Sequence, residues 1–395
     1  MSTSIAAFEI SHERGFLPLY DPLSRLPKTF DAWENVGSRL PKLLVSDQLH
    51  RAIADLPPFP VEAISNCRGR ERAMVLLSYL GHAYVWGGAR PEVILPARLA
   101  VPWHQIAESL GRPPVLSYSS YALHNFFRFD ASREIECGDL GLIQNFLGGI
   151  DEEWFILIHV EIERKAAPAL AILHDCLDAA EASEGDRLQA LLVQVASSLG
   201  AMYATLRRMP EHCDPYIYYH RVRPYIHGWK NHPDIPEGVV YEGVKAYGGR
   251  PQQFRGETGA QSAIVPSLDA MLGVRHKEDM LSTYLLEMRN YMPPAHRAFI
   301  ESLESQTPVR PFVQRAGRRA LTEAFNACVE ALEAFRSLHL EYAASYIFQQ
   351  AQTDAKNPHA VGTGGTPFME YLKKHRDETH AHLVNPVAGV VDEAV

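Results

Sequence analysis

The chain has 395 residues, of which 46% are hydrophobic and 22% are charged, and its formal net charge is −9. This composition is typical of a globular protein whose core is large enough to enclose a cofactor. The acidic balance argues against a nucleic-acid partner and against an anionic membrane surface. We also find no stretch of the apolar length that a membrane span requires.

The five cysteines are scattered, and they form neither a CxxC pair nor the CxxCH motif of covalent haem attachment. This usage is typical of a reducing compartment, so a cytoplasmic protein is expected. No signal peptide is visible, because charged residues precede any long apolar run.

Proline punctuates the first 145 residues and keeps their helices short; helices are predicted at 47–55 and 70–84. From residue 151 helical periodicity dominates, without strand–helix alternation or internal repeats. The sequence therefore predicts an all-α fold with a small N-terminal domain (1–145), a large helical domain (146–385) and a loose tail (386–395). Helices of the large domain are predicted at 151–165, 168–182, 186–208, 262–273, 278–290, 295–305, 318–350 and 368–382.

A histidine lies within the apolar stripe of the helix predicted at 318–350. The stripe advances in steps of four and three residues, as on one face of an amphipathic helix: Leu321, Phe325, Cys328, Leu332, Phe335, His339, Tyr342 and Tyr346. An inward-facing imidazole needs a partner. It is either a core histidine bonded to a carbonyl or carboxylate, or the single axial nitrogen that a haem iron requires.

A second histidine, His159, shares one helical face with Phe155, Ile158 and Ile162. It is either another satisfied core histidine or the partner of His339 across one planar cofactor. In the second interpretation, His339 ligates the metal and His159 faces the reactive side.

Three other segments carry weaker signals. Residues 216–230 interleave aromatic side chains with arginine, which suits carboxylate capture but also an aromatic core with solvated arginines. The glycine-rich run 362–366 lacks the Lys-Ser/Thr of a phosphate-binding loop, so it is a connector or a lid whose threonines face a ligand. His375, His380 and His382 have weak metal-ligand spacing, and a solvated tail is expected there.

Several motifs in fixed order make the chain resemble the indoleamine 2,3-dioxygenase family, as a bacterial-type member. The most specific are YIHGWK at 225–230, MRNYMPPAHR at 288–297, FRSLH at 335–339 and GTGGT at 362–366. AYVWG at 83–87 and VYEG at 240–243 also fit. The resemblance runs from residue 14 to about residue 382 and thus covers nearly the whole chain.

This resemblance implies a haem protein with a small N-terminal and a large C-terminal helical domain. It implies that O2 opens the indole 2,3-bond of L-tryptophan to give N-formylkynurenine, on one non-covalent haem b per chain. By resemblance His339 is the axial ligand, Arg223 binds the substrate carboxylate and Phe155 packs against the indole. The remaining substrate-binding positions implied are Tyr118, Tyr121, Ala122, Tyr218, Ile226 and, near the substrate ammonium, Thr363.

Three departures from the family pattern concern the choice of substrate. His159 stands where mammalian members carry serine, Tyr218 and Tyr219 replace phenylalanines, and Glu257 replaces a glycine. Two alternatives therefore stay open: the same fold acting on another indole or a modified tryptophan in secondary metabolism, and a non-catalytic haem or ligand sensor. A monomer with O2 and an indole as its partners, and no nucleic acid or membrane, is expected.

Overall fold

The computed structural model describes residues 5–277, 280–306, 308–353, 363 and 368–385. The predicted tail, 386–395, lies outside these residues, as does the glycine-rich run except for Thr363. Within the described part the α-helices are α1 Asp31–Ser38, α2 Leu40–Val45, α3 Leu49–Ala54, α4 Cys67–Trp86, α5 Ala97–Ser109, α6 Ile150–Leu170, α7 Leu173–Glu181, α8 Gly185–Leu206, α9 Pro215–Ile217, α10 Arg223–Ile226, α11 Ile264–Leu272, α12 Met280–Met288, α13 Pro294–Glu304, α14 Val309–Ala316, α15 Arg319–Ala343, α16 Gln349–Thr353 and α17 Phe368–His380.

Four short strands are present in the described part, and they form two separate pairs. β1 (Ile94–Leu95) pairs in parallel with β4 (Val240–Tyr241), and β2 (Phe126–Arg128) pairs antiparallel with β3 (Leu140–Leu142). Neither pair can form a layer of its own, so the all-α prediction is confirmed.

In the part of the chain that the structure describes, three π-helical segments interrupt the α-helical pattern, at Ser119–Leu123, Tyr218–Val222 and Ala344–Phe348. A π turn widens the helix locally and redirects its side chains, and such turns concentrate at functional sites. The first two contain or adjoin predicted site residues, and the third begins five residues after His339.

The long helices α6, α8 and α15 form the centre of the large domain. α8 packs against both α6 and α15, and α17 packs along α15. Residues 185–211 are long and apolar enough to cross a membrane, judged by length and composition alone, so the expectation that no stretch reaches that length was wrong. Packing of α8 between two neighbouring helices accounts for its apolar character.

Proline was misread as a helix boundary at two positions. A helix start was predicted at Pro168, yet α6 continues through this residue to Leu170. Pro102 likewise lies inside α5, which the sequence did not predict. Each proline removes one backbone donor from its helix, and the packing of buried neighbours such as Trp103 and Ala169 offsets that loss.

Two apolar cores meet at the region that carries the candidate site. The first joins N-terminal helices to side chains from 226–244, including Ile226 and Trp229. The second joins α6, α8 and α15 through side chains such as Ile158, Leu192 and Leu332. The chain therefore crosses from the second core to the first immediately after Arg223. The domain boundary expected at 145/146 stays a prediction.

Candidate active site

His339 lies in the last turns of α15. The stripe predicted from the sequence is fully buried from Leu321 to Leu332, but the His339 side chain is accessible. Desolvation by the surrounding protein, and then the nearby His159, nevertheless lower the pKa of His339 to about 4. From this combination of accessibility and desolvation we infer that His339 lines an enclosed cavity. His339 makes no hydrogen bond within the described residues, so the carbonyl or carboxylate partner expected of a core histidine is not found there.

His159 lies on α6 and faces the same space. Its Nδ1 is 2.7 Å from the backbone oxygen of Phe155, one turn earlier, so Nδ1 carries the proton. Burial lowers the pKa of His159, which keeps the ring neutral at neutral pH. Nε2 is therefore a hydrogen-bond acceptor, and it has no donor among the described residues.

Aromatic rings surround Phe155 and form one wall of the cavity. Its ring centroid lies 4.7 Å from that of His159 and 4.4 Å from that of Tyr218. Tyr121, in the first π-helical segment together with the buried Ala122, lies 6.3 Å from Phe155. Tyr118 lies 6.0 Å from His159. The structure thus brings the predicted pocket-wall residues together, although they come from three separate segments.

Arg223 is 1% exposed and begins the short helix α10. Its guanidinium lies 5.3 Å from the centre of the Tyr219 ring. Burial lowers the pKa of Arg223, and interactions with Tyr218 and Tyr219 partly oppose that shift. A guanidinium keeps its charge even so, and a buried cation beside the pocket attracts an anionic ligand group.

A close backbone crossing places the Arg223 segment against residues 255–258. A Cβ on Gly228 would lie 2.1 Å from the Gly256 nitrogen, and a Cβ on Gly256 would lie 2.2 Å from the Gly228 nitrogen. Only glycine at both positions permits this approach. Ile226 accepts a hydrogen bond from the Glu257 N–H at 3.1 Å. Arg223 and Glu257 therefore lie on two backbone segments that are in contact.

Thr363 lies on this crossing. Its hydroxyl donates to the Glu257 carbonyl oxygen, and its own carbonyl accepts from Gly228 N–H at 3.5 Å. Gln261 ties the crossing to the pocket wall, because it accepts from Tyr118 N–H and donates to the Gly256 carbonyl, both at 2.9 Å.

Two buried carboxyl groups belong to the site and were not selected from the sequence as site residues. Glu163 is fully buried and accepts from Tyr118 and Ser262 hydroxyls, each at 2.9 Å; burial raises its pKa to about 7. Burial raises the pKa of Glu257 to about 8. The sequence could have identified Glu163, since it lies one helical turn after His159 on α6. Glu257 stood out in the sequence only because it departs from the family pattern.

His276, His375 and Glu378 form a second group whose spacing would suit a metal ion. His276 is already bonded to Glu378 at 2.6 Å and lies 3.4 Å from Asp269, which pairs with Arg336. These ion pairs connect α17 through His276 to α11, and α11 to α15. The expected solvated tail is therefore wrong for His375, which is buried, whereas His380 is exposed as expected.

An open cleft of about 460 Å³ lies beside the site, lined by Asp151, Pro210, Glu211, His212, Cys213, Asp214, Pro215, Tyr342, Ser345 and Tyr346. It adjoins the site through Tyr346, whose ring centroid is 6.0 Å from that of Tyr218. Neither His339, His159 nor Arg223 lines this cleft, so it is distinct from the cavity between the two histidines.

A protein-family model described as indoleamine 2,3-dioxygenase matches residues 4–382. Indoleamine 2,3-dioxygenase 1 of Rattus norvegicus is 34% identical over 391 residues, which cover 96% of this chain and 95% of the rat protein. Indoleamine 2,3-dioxygenase of Saccharomyces cerevisiae is 32% identical over 422 residues, covering 94% and 92%. Indoleamine 2,3-dioxygenase qulI of Penicillium citrinum is 31% identical over 392 residues, covering 95% and 88%.

Proposed function

The chain belongs to the indoleamine 2,3-dioxygenase family, and from that membership we propose that it is a haem-dependent dioxygenase that opens the indole 2,3-bond of L-tryptophan. The product is N-formylkynurenine, which retains both atoms of O2. The observation that carries this proposal is the desolvated, accessible His339 facing the neutral His159 and Phe155 across one cavity.

The residues around the cavity fit a haem. His339 offers one nitrogen without a hydrogen bond among the described residues, and its lowered pKa keeps that nitrogen free of a proton. His339 would hold the haem iron, and the haem would supply the binding and activation of O2. Since the chain has no CxxCH motif, we propose haem b held without covalent bonds.

On the opposite wall, this chain's own side chains orient the indole. Phe155 and Tyr218 provide aromatic faces 4.4 Å apart at their centroids, against which an indole plane packs. The free Nε2 of His159 accepts a hydrogen bond from the indole N1–H. This contact orients the substrate, and a neutral imidazole holds the N1 proton without having to remove it.

Arg223 binds the substrate carboxylate. Its buried guanidinium can make two parallel hydrogen bonds to a carboxylate, which fixes direction as well as position. Thr363 holds residues 256–258 in place from the other side of the crossing. The buried tyrosines around the pocket exclude water from the reacting edge of the indole.

A second candidate is the same reaction on another indole or on a modified tryptophan. The departure at Glu257 keeps this candidate open, because a carboxyl group in place of a glycine changes the shape and polarity of the pocket. We further propose that the protein acts as a cytoplasmic monomer.

The proposal is tested with an optical spectrum of the reduced protein under O2, with and without L-tryptophan, followed by detection of N-formylkynurenine. A haem band together with product formation supports it. Purified protein without a haem band would refute the cofactor. A haem protein that turns over no indole would leave the sensor alternative.

A further inference from the structure

The backbone of Glu257 is fixed from both sides. Its N–H donates to Ile226 at 3.1 Å, and its carbonyl accepts from Thr363. The preceding Gly256 lies in the tight crossing with Gly228. The position of the Glu257 side chain is therefore set by a rigid element and not by a loose loop.

The carboxyl group of Glu257 has no partner within the described residues. Its side chain is 5% exposed, and no hydrogen bond or ion pair reaches either oxygen. Glu163, by contrast, is equally enclosed but accepts two hydroxyl donors. A buried carboxyl without a donor or counter-ion is costly, and burial alone accounts for its raised pKa.

The charge of Glu257 acts on four buried phenols that surround the candidate substrate pocket. Burial is the main cause that raises the pKa of Tyr79, Tyr118, Tyr121 and Tyr218, and the Glu257 carboxylate adds to it in every case. Three of these are predicted pocket residues. The hydrogen bonds agree with this proximity, because Gln261 links the Tyr118 backbone to Gly256, the residue before Glu257.

Tyr218 lies within the influence of two opposite charges. The Glu257 carboxylate raises its pKa and the Arg223 guanidinium lowers it, yet Glu257 forms no ion pair with Arg223 among the described contacts. A free amino acid carries a carboxylate and an ammonium on one carbon. A carboxyl and a guanidinium that flank one pocket wall without pairing with each other match such a ligand, whose ammonium would stabilise the ionised form of the carboxyl.

We propose that Glu257 is a specificity-determining residue, which accepts the ammonium group of the substrate while Arg223 binds its carboxylate. This inference rests on the proposed function and names the side chain of this protein that would recognise the ammonium group of its substrate. An ammonium would supply the missing hydrogen-bond donors and the missing counter-ion of the buried carboxyl.

The test compares three ligands on the haem-loaded protein: L-tryptophan, tryptamine, which lacks the carboxylate, and indole-3-propionate, which lacks the ammonium. Binding is followed by the change of the haem absorption band, and turnover by product formation. A site built around a charged group rejects ligands that lack it. In Glu257→Gln we expect L-tryptophan and tryptamine to bind at least about tenfold more weakly, and indole-3-propionate to bind equally or more tightly.

Three variants frame this comparison. Glu257→Asp keeps the charge and should keep the preference for ligands with an ammonium. Glu257→Ala should reproduce the selectivity of Glu257→Gln, and it serves if the glutamine variant does not fold. Glu152→Gln is the matched control, because it neutralises a buried carboxyl outside the pocket wall whose two oxygens already accept the backbone N–H groups of Phe146 and Leu147, and it should leave the ratio between the three ligands unchanged.

Equal losses for all three ligands would overturn the proposal, since Glu257 would then only shape the pocket. An unchanged ratio between the three ligands would overturn it as well. If the unaltered protein neither binds nor turns over any indole, the proposed function itself fails. An active protein whose Glu257 variants keep the original selectivity refutes only the role of Glu257.

Discussion

The two walls of the cavity are built in different ways. His339 is presented by one continuous helix, α15, whose stripe of buried residues leads directly to it. The opposite wall combines α6, two π-helical segments and the crossing at Gly228 and Gly256. The first wall depends on local periodicity, whereas the second depends on contacts between segments that are separate in the sequence, such as Phe155 with Tyr218 and Gly228 with Gly256. Substitutions on the two walls should therefore have different effects on the protein.

The largest effect is expected at the helical wall. His339→Ala should abolish stoichiometric haem binding and with it turnover, because it removes the nitrogen that would hold the iron. Haem absorbance per chain measures this directly. His380→Ala removes an exposed histidine paired with Glu333 and serves as the control. A normal haem band and full turnover in His339→Ala would refute the assignment.

A smaller but selective effect is expected at Arg223. Removing a buried cation that pairs with a carboxylate costs about 2–4 kcal/mol, because the partner is left buried without its counter-ion. Arg223→Ala should therefore lose most of kcat/KM for L-tryptophan and spare small indoles that lack the carboxylate.

Arg221→Ala is the matched control for this prediction, since Arg221 lies two residues away and is exposed. Equal losses for L-tryptophan and for the small indoles would contradict carboxylate binding by Arg223.

The buried carboxyl of Glu257, which lies at the backbone crossing, should make the free energy of unfolding depend on pH. The Glu257 pKa is about 8 in the folded protein and 4.5 in its ordinary state, so between these values the unfolded chain releases a proton that the folded protein keeps. The free energy of unfolding then falls as pH rises. Glu257→Gln lacks the titrating carboxyl. Its free energy of unfolding, relative to that of the parent protein, should therefore increase by up to about 1.4 kcal/mol per pH unit.

Chemical denaturation of the substrate-free, haem-loaded protein from pH 5 to pH 9 measures this difference. Glu163→Gln is the comparison, because the pKa of Glu163 is raised only to about 7. The difference in free energy of unfolding between this variant and the parent protein should therefore stop increasing at a lower pH. A difference for Glu257→Gln that does not change with pH would show that the carboxyl is ionised in the folded protein.

The smallest effect is expected at His159. A hydrogen bond from the indole N1–H contributes about 1 kcal/mol of orientation, so His159→Ser should keep haem and measurable turnover. Burial lowers the pKa of His159. As pH falls through that pKa, the ring is protonated and can no longer accept a hydrogen bond from the indole, so turnover by the parent protein should fall. The serine variant should not show this loss of turnover at low pH.

His159→Ala should also favour 1-methyltryptophan relative to the parent, because the methyl group no longer meets the imidazole. Complete loss of turnover in His159→Ser, with haem and O2 binding intact, would make His159 an obligatory base.

Local patterns in the sequence determined the long helices and two of the site residues. The spacing from Leu321 to Tyr346 predicted α15 and the inward position of His339, because helical periodicity fixes which side chains share a face. The same rule placed His159 and Phe155 on one face of α6. The other pocket positions, Arg223 and Tyr121 among them, came only from the family resemblance.

Only the tertiary structure decided what those side chains face. Periodicity marks an inward-facing side but does not distinguish a packed core from a cavity, and His339 proved to face a cavity. The structure also joined residues 226–228 to 255–257, because two glycines allow their backbones to touch. That contact leaves the Glu257 carboxyl buried beside the pocket without a partner, and no local pattern around residue 257 encodes a contact made by a segment thirty residues away.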